Sequence, residues 1–386
     1  MRKYIDITNK EIFSLLKENE ADRLRAENIR KFRDENYNPY PNGWNIDSFF
    51  KEVLSDMYVD GFIMTYPHGR VVKQAQRSYY YRGEKQIFDS SQSSLYRRLK
   101  NIENPEESLI EEFVAYLRIA DFLELLLKFD HTQKFISKPL SFNNIPINDG
   151  IDLLYEQLAQ HYGLETSWLD ITSDFEVALF FACCKFNKQT NKWEPLNNED
   201  FNNDDKTQYG IIFQKPANHF TNLLRIESQP VKILPVGFQP FMRCHMQNSY
   251  VALMDKSYCL QKDNFFKILR FKHNEELCNY IYNVMDCGKK IYPHEGLNLM
   301  RNEIEEIKTR KIFSVESFNY AYEDPKFKSL NKDTLKQSLI DFGYEITNTR
   351  NLIPKEKIDQ INKQYADFDI EQIYKIKLRT RLTFSK

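Results

Sequence analysis

The sequence predicts an α+β fold: a mixed, mostly antiparallel central sheet flanked by helices, with a helical N-terminal lead and an α+β C-terminal extension. Three observations point there. Several long segments repeat apolar residues at spacings of three and four, as in LIEEFVAYLRIADFLELLLKF, which is the helical period. Short aromatic or β-branched runs such as SYYYRG, YGIIFQ, VKILPV and SYVALMD suit a pleated, half-buried surface. Aromatic content is high at 14% and there are only 11 glycines in 386 residues, which fits an ordered globular chain.

Taken in order, Ile7 to about Glu35 reads as a charged helix marked by Ile12, Leu15, Leu16 and Leu24. The prolines and glycine of NYNPYPNGW, Asn36 to Trp44, break it. Asn45 then caps an amphipathic helix in IDSFFKEVLSDMYV. SYYYRG, Ser78 to Gly83, is a strand ending at a glycine, and a helix follows from Glu106 to Phe129. A second helix is expected from about Asp149 to Tyr162, with Leu153, Leu154, Leu158 and His161 on one face and Gly163 as a left-handed cap. Ser173, with Glu176 three residues on, has the form of a capping box for a helix running through Phe186. Asn187 to Thr207, rich in Asn, Asp and Lys, reads as a surface loop, and strands follow. Beyond Arg301 lie further helices, including NKDTLKQSLIDFG with Asn331 as cap and Gly343 as stop, and the chain closes on a period-2 strand, YKIKLRTRLTF. No internal repeat is evident.

Formal charge is −1, which excludes wholesale electrostatic binding to nucleic acid or an anionic membrane. MRKYIDITNKEIF carries no apolar signal core, and no run is long enough to span a bilayer, so a cytoplasmic protein without a membrane partner is expected. The six cysteines form no C-x-x-C pair and are expected to be reduced; with no paired Cys/His spacing, no metal is expected.

The block HYGLETSWLDITSDFEVALFFA, His161 to Ala182, crowds hydroxyls and a carboxylate in front of a helix. A helix amino terminus favours anions, and Thr166, Ser167, Thr172 and Ser173 can donate to phosphate or ribose oxygens. The plainer role of Asp170, Thr172 and Ser173 is capping. Arg82, after Tyr81 and before Gly83, offers a planar fork for phosphate or carboxylate at a strand end, or a surface ion pair. Arg243 and Gln247 stand just before the strand SYVALMD, with ordinary loop roles open to both. Lys375, Lys377, Arg379 and Arg381 share one face of the last strand, either as a basic strip for nucleic acid or an acidic partner, or as protection of a sheet edge.

Together, YYYRGE, SLYRRL, LAQHYGLETSWLDITSDFEVALFFA, the Arg243–Gln247 segment and KKIYPHEGLNLM resemble an FRG domain, named for an aromatic-Arg-Gly motif, over about 44–304. A lead of 1–43 and an extension of 305–386 would flank it. Departures are Glu84 where glutamine is usual, Ser167-Trp168 in place of Arg-Leu, and Asn248-Ser249 in place of Gln-Gly. FRG domains occur in bacterial and phage-related proteins, and their motif order is similar to that of ADP-ribosyltransferases of the Arg–Ser–Glu type. The resemblance implies NAD as a substrate and a macromolecular acceptor, nucleic acid or protein. It further implies a toxin or antiviral defence role, with an inhibitory or sensor protein as a possible partner. By that resemblance Arg82, Asp170, Ser173 and Gln247 would be catalytic. Tyr81, Arg82, Gly83, His161, Thr166, Ser167, Thr172 and Arg243 would contact NAD, with Ala178 to Ala182 as the supporting helix. The late-strand glutamate of that type is missing; Gln247 is its nearest counterpart, and Glu84, Asp170 or Asp255 would have to supply charge. A non-catalytic module that binds a nucleotide or protein through the same cleft is the competing reading.

Overall fold

A computed structural model describes residues 4–36, 61–66, 69–74, 77–137, 140–142, 145–147, 152–201, 204–217, 230–237, 239–293, 296–348, 353–365 and 378–380. The fold is α+β. Its centre is a seven-stranded sheet built from β1 (Ile5–Asp6), β4 (Tyr79–Glu84), β7 (Trp168–Thr172), β10 (Tyr209–Pro216), β11 (Val231–Pro235), β12 (Ser249–Met254) and β13 (Lys267–Lys272), in the order β1-β13-β10-β4-β7-β12-β11. Only the β1–β13 pairing is parallel; the others are antiparallel. The remaining strands, β2 (Gly61–Tyr66), β3 (Gly69–Gln74), β5 (Leu140–Phe142), β6 (Ile145–Ile147), β8 (Cys184–Asn187), β9 (Lys192–Pro195), β14 (Ile312–Ser314), β15 (Glu345–Thr347) and β16 (Leu378–Thr380), form small separate sheets.

Aromatic and branched residues of the predicted strands cover both sheet faces. On one face Tyr80, Leu169, Ile171, Ile211, Phe213 and Tyr250 form a buried cluster. On the other, Tyr81 and Ile212 meet helix α6 (Phe175–Cys183), whose Phe175, Leu179 and Phe180 are fully buried. Each such side chain contributes roughly 1.5–3 kcal/mol on burial. Helix α1 (Asn9–Asn36) lies against the same cluster through Ile12 and Leu16, so the N-terminal lead packs on the sheet domain and β1 joins its edge.

The other helices needed here are α2 (Ser94–Leu99), α3 (Pro105–Leu126), α4 (Asp130–Ser137), α5 (Tyr155–His161), α7 (Asn198–Phe201), α8 (Met242–Met246), α9 (Glu275–Val284), α10 (Arg301–Thr309), α11 (Val315–Tyr322), α12 (Pro325–Lys328) and α13 (Lys332–Asp341). Asn104 caps α3 with Pro105 in its first turn, the arrangement that a missing proline N–H favours. One side of α3 faces Leu158, Tyr162 and Phe241, and another faces Phe313, Phe318 and Phe327 of the C-terminal extension. Asn331 and Gly343 act as expected: Asn331 accepts from Thr334 N at 2.9 Å, and Gly343 has φ +82°.

Three boundaries differ from the sequence reading. Helix α5 starts at Tyr155 rather than near Asp149, because residues just before it are spent on tertiary bonds: Asp152 accepts from Arg70 N, and Leu154 N donates to Gln239. Helix α6 ends at Cys183, where Cys184 turns extended and starts the β8–β9 hairpin. The region expected to be loop from Asn187 to Thr207 therefore contains part of that hairpin and α7, anchored by buried Leu196 and Phe201. The helix expected after Asn45, the breaker from residue 37 on, and all of the basic strip but Leu378–Thr380 fall outside the described residues; that short piece pairs in parallel with β2. Among the described residues, no helix is long and apolar enough to cross a membrane.

Candidate functional site

The central sheet parts between β4 and β7. These neighbours share a single residue pair, Tyr81 with Thr172, whereas β4 pairs with β10 along its whole length. Beyond Tyr81 the gap is spanned by the Arg82 side chain, whose Nη1 donates to the Asp170 carbonyl at 2.9 Å. A cleft of about 240 Å³ opens at this split, lined by both strands, the end of α5, one side of α6 and the start of β12.

Gly83 is where the aromatic-Arg-Gly motif acquires a structural reason. A Cβ there would stand 1.7 Å from the Ala178 carbonyl oxygen, so only glycine lets α6 lie this close over β4. Gly83 thus serves the approach of a helix backbone.

Arg82, Gly83, His161, Asp170, Thr172 and Gln247 all line the cleft, although they come from β4, α5, β7 and the turn before β12. Arg82 Nε also donates to Glu84 Oε1 at 2.9 Å, and Glu84 Oε2 accepts from Ser91 at 2.7 Å. Both oxygens of the buried Glu84 are therefore engaged. Asp170 differs: Oδ2 accepts from Gln160 at 3.3 Å, while Oδ1 is shielded from solvent and has no hydrogen-bond partner. Facing it at 3.8 Å is His161 Nε2, also unpartnered, on a side chain only 3% exposed. Ser249 Oγ is a third unpartnered atom on this lining. Buried polar atoms are nearly always hydrogen-bonded, and a ligand or water in this hollow would satisfy all three. Burial holds the His161 imidazole below its ordinary pKa; the Asp170 charge opposes this and Arg243 reinforces it. Burial thus favours the neutral imidazole.

The rest of the polar block supports this lining from behind. Thr166 is fully buried and donates to Gln160 Oε1 at 2.7 Å, which orients the amide that holds Asp170. Thr172 Oγ1 donates to the Gln247 carbonyl at 2.7 Å and accepts from Asp174 N, tying β7 to the turn before β12. Gln247 Nε2 donates to the Ile291 carbonyl at 3.1 Å. Thr166, Ser167, Ser173 and Arg243 are not among the lining residues. Arg243 sits behind the wall, its guanidinium between the rings of Tyr162 and Tyr292 at 4.2 and 4.9 Å and its Nη1 on the His161 carbonyl. It positions His161 from there.

Capping accounts for the α6 amino terminus, but Ser173 is not the cap. Asp174 accepts from Glu176 N at 2.9 Å, and Asn19, reaching over from α1, accepts from Phe175 N at 3.0 Å. With those donors occupied, the helix terminus has little left for a phosphate. Sequence reasoning passed over Gln160, Val177 and the role of Ser249, whereas Phe181 lies in the expected supporting helix. Ser249 did carry a signal, since it is one of the departures from the FRG pattern; Gln160 carried none, because an amide on a helix looks like any solvated residue.

The family model of the FRG domain matches residues 77–191. The chain therefore carries an FRG domain, and the match takes in β4, α5, β7 and α6, with Arg82, His161 and Asp170 among them. No curated protein and no solved structure matches the chain.

Proposed function

We propose that the cleft binds NAD and that the chain is an ADP-ribosyltransferase-like enzyme, a toxin or defence effector that modifies a macromolecule. The observation that carries this reading is the unpartnered trio, His161 Nε2, Asp170 Oδ1 and Ser249 Oγ, beside Arg82 at a split in the sheet. Cleavage of the nicotinamide–ribose bond passes through an oxocarbenium-like state that a carboxylate stabilises. Of the acids considered for the missing glutamate, Glu84 has both oxygens engaged and Asp255 does not line the cleft. Asp170 has a free oxygen and takes that role. His161, neutral through burial, would take a proton from the acceptor nucleophile or hold a ribose hydroxyl. Arg82 has Nη2 left to meet a phosphate. At about 240 Å³ the cleft is smaller than the roughly 300–1,000 Å³ of most small-molecule pockets, which suits the nicotinamide riboside half with the other half outside.

A non-catalytic nucleotide- or protein-binding module is supported by one specific feature: the Gln247 amide, nearest counterpart of the missing glutamate, donates to Ile291 and is not free to direct a ribose. NAD labelled in the nicotinamide, incubated with the protein and with RNA, DNA or protein acceptors, separates the two. Nicotinamide release that falls about 100-fold or more in Asp170→Asn and in Arg82→Ala supports the enzyme. NAD binding with no release on any acceptor supports the module, and turnover untouched by Asp170→Asn removes the role given to that residue.

A further inference from the structure

A cluster that the cleft does not use lies where α6, β13 and α9 meet. Cys183 is the last residue of α6, His273 follows β13, and Cys278 is in the second turn of α9. The two sulfurs and one imidazole nitrogen lie within 4.8 Å of one another, and all three residues are buried. We propose that Cys183, His273 and Cys278 form a structural zinc site that fastens α6 and α9 to the sheet.

Distance comes first. Zinc binds thiolate at roughly 2.3 Å and imidazole at roughly 2.0–2.1 Å, which sets ligand-to-ligand separations of roughly 3.5–3.8 Å in a tetrahedron. Cys278 Sγ and His273 Nδ1 stand 4.0 Å apart, a few tenths of an ångström from that.

The imidazole is also set in advance. Its Nε2 meets the Lys85 carbonyl at 3.0 Å. A carbonyl only accepts, so the N–H is on Nε2 and the lone pair of Nδ1 faces the thiols. A backbone carbonyl that fixes the tautomer of a ligating histidine is a recurrent feature of metal sites. Phe201 stacks on the ring at 5.0 Å and 9°, and Phe271 meets it edge-on at 5.4 Å, which holds its plane.

Charge selects the ion. Two thiolates and a neutral imidazole carry −2, which a divalent ion cancels; monovalent copper would leave a net charge in a closed apolar cluster, where an uncompensated charge is costly. Magnesium and calcium prefer oxygen ligands. Three protein donors leave one corner of the tetrahedron, which a neutral water would fill without changing the charge. The expectation of no metal rested on the lack of paired spacing, and these ligands come from three elements far apart in sequence.

The test uses untagged full-length protein, reduced and stripped with chelator, then titrated with Co²⁺ followed by Zn²⁺. One cobalt per chain with sulfur-to-cobalt charge-transfer bands, displaced by zinc, is expected, with an intensity that counts two thiolates. Cys278→Ser should weaken binding at least 100-fold, whereas Cys259→Ser, a buried cysteine outside the cluster, should leave it unchanged. If Cys278→Ser fails to fold, alkylation of the unfolding wild-type protein decides instead: zinc should slow modification of Cys183 and Cys278 at least tenfold and leave Cys287 unaffected. Absence of charge-transfer bands, bands that survive Cys278→Ser, or alkylation indifferent to zinc would overturn the proposal.

Discussion

Two carboxylates, Asp121 where the C-terminal helices meet the sheet domain and Asp170 in the cleft, are treated in opposite ways. Where α3 meets the extension, Asp121 is 5% exposed and saturated: Oδ2 is paired with Arg310 at 2.6 Å and Oδ1 accepts from Ser317 at 2.5 Å. Glu112, on the same helix, is paired with Lys326, and Glu111 accepts from Tyr344. In the cleft, Asp170, His161 and Ser249 each keep an atom without a partner. A saturated carboxylate fixes a packing arrangement, whereas an unsatisfied buried oxygen costs free energy unless something bound there satisfies it.

That contrast can be broken most directly in the helical region. Arg310→Ala leaves Asp121 buried without its cation and should lower stability by about 3–5 kcal/mol, read from the urea midpoint. A loss under about 1 kcal/mol would mean that the network is ornamental. Gly83→Ala forces a methyl group against the Ala178 carbonyl oxygen and should cost about 3 kcal/mol or more, because a helix must move away from a strand.

Acid sharpens the comparison next. His131, buried beside Phe241 with Nε2 on the Pro240 carbonyl, is held by burial at about 4. Its folded value lies below the unfolded value of roughly 6.5, so the unfolded chain binds the proton first. The stabilisation is whole above pH 6.5 and is lost as pH falls towards 4, on the order of 3 kcal/mol. His161, shifted the same way, adds to it. Urea titrations across that window should show a slope that flattens in His131→Gln. The smallest effect is expected in the cleft: Asp170→Asn should change stability by less than about 1 kcal/mol, in either direction, since no ion pair is broken. A loss as large as that of Arg310→Ala would show that Asp170 is a structural residue and end the comparison.

What could be read from the chain alone was local. Helical periodicity located α1 and α3, and the left-handed stops at Gly163 and Gly343 followed from a positive φ that glycine adopts without cost. The strand YYYRGE and the order of the polar block were legible for the same reason, since strand preference and turn chemistry act over a few residues. Everything that gives the site its character was decided at long range. Asp174 rather than Ser173 caps α6, and Asn19 takes the next donor, Phe175 N, because α1 folds over the start of that helix. Thr166 and Arg243 became supports through bonds to Gln160 and to the His161 carbonyl, and Arg82 crosses to the Asp170 carbonyl because β4 and β7 share only one residue pair. The zinc cluster proposed here depends on three elements whose meeting no sequence spacing records. Local conformational preferences are written residue by residue; which buried atoms find partners depends on how distant segments share space.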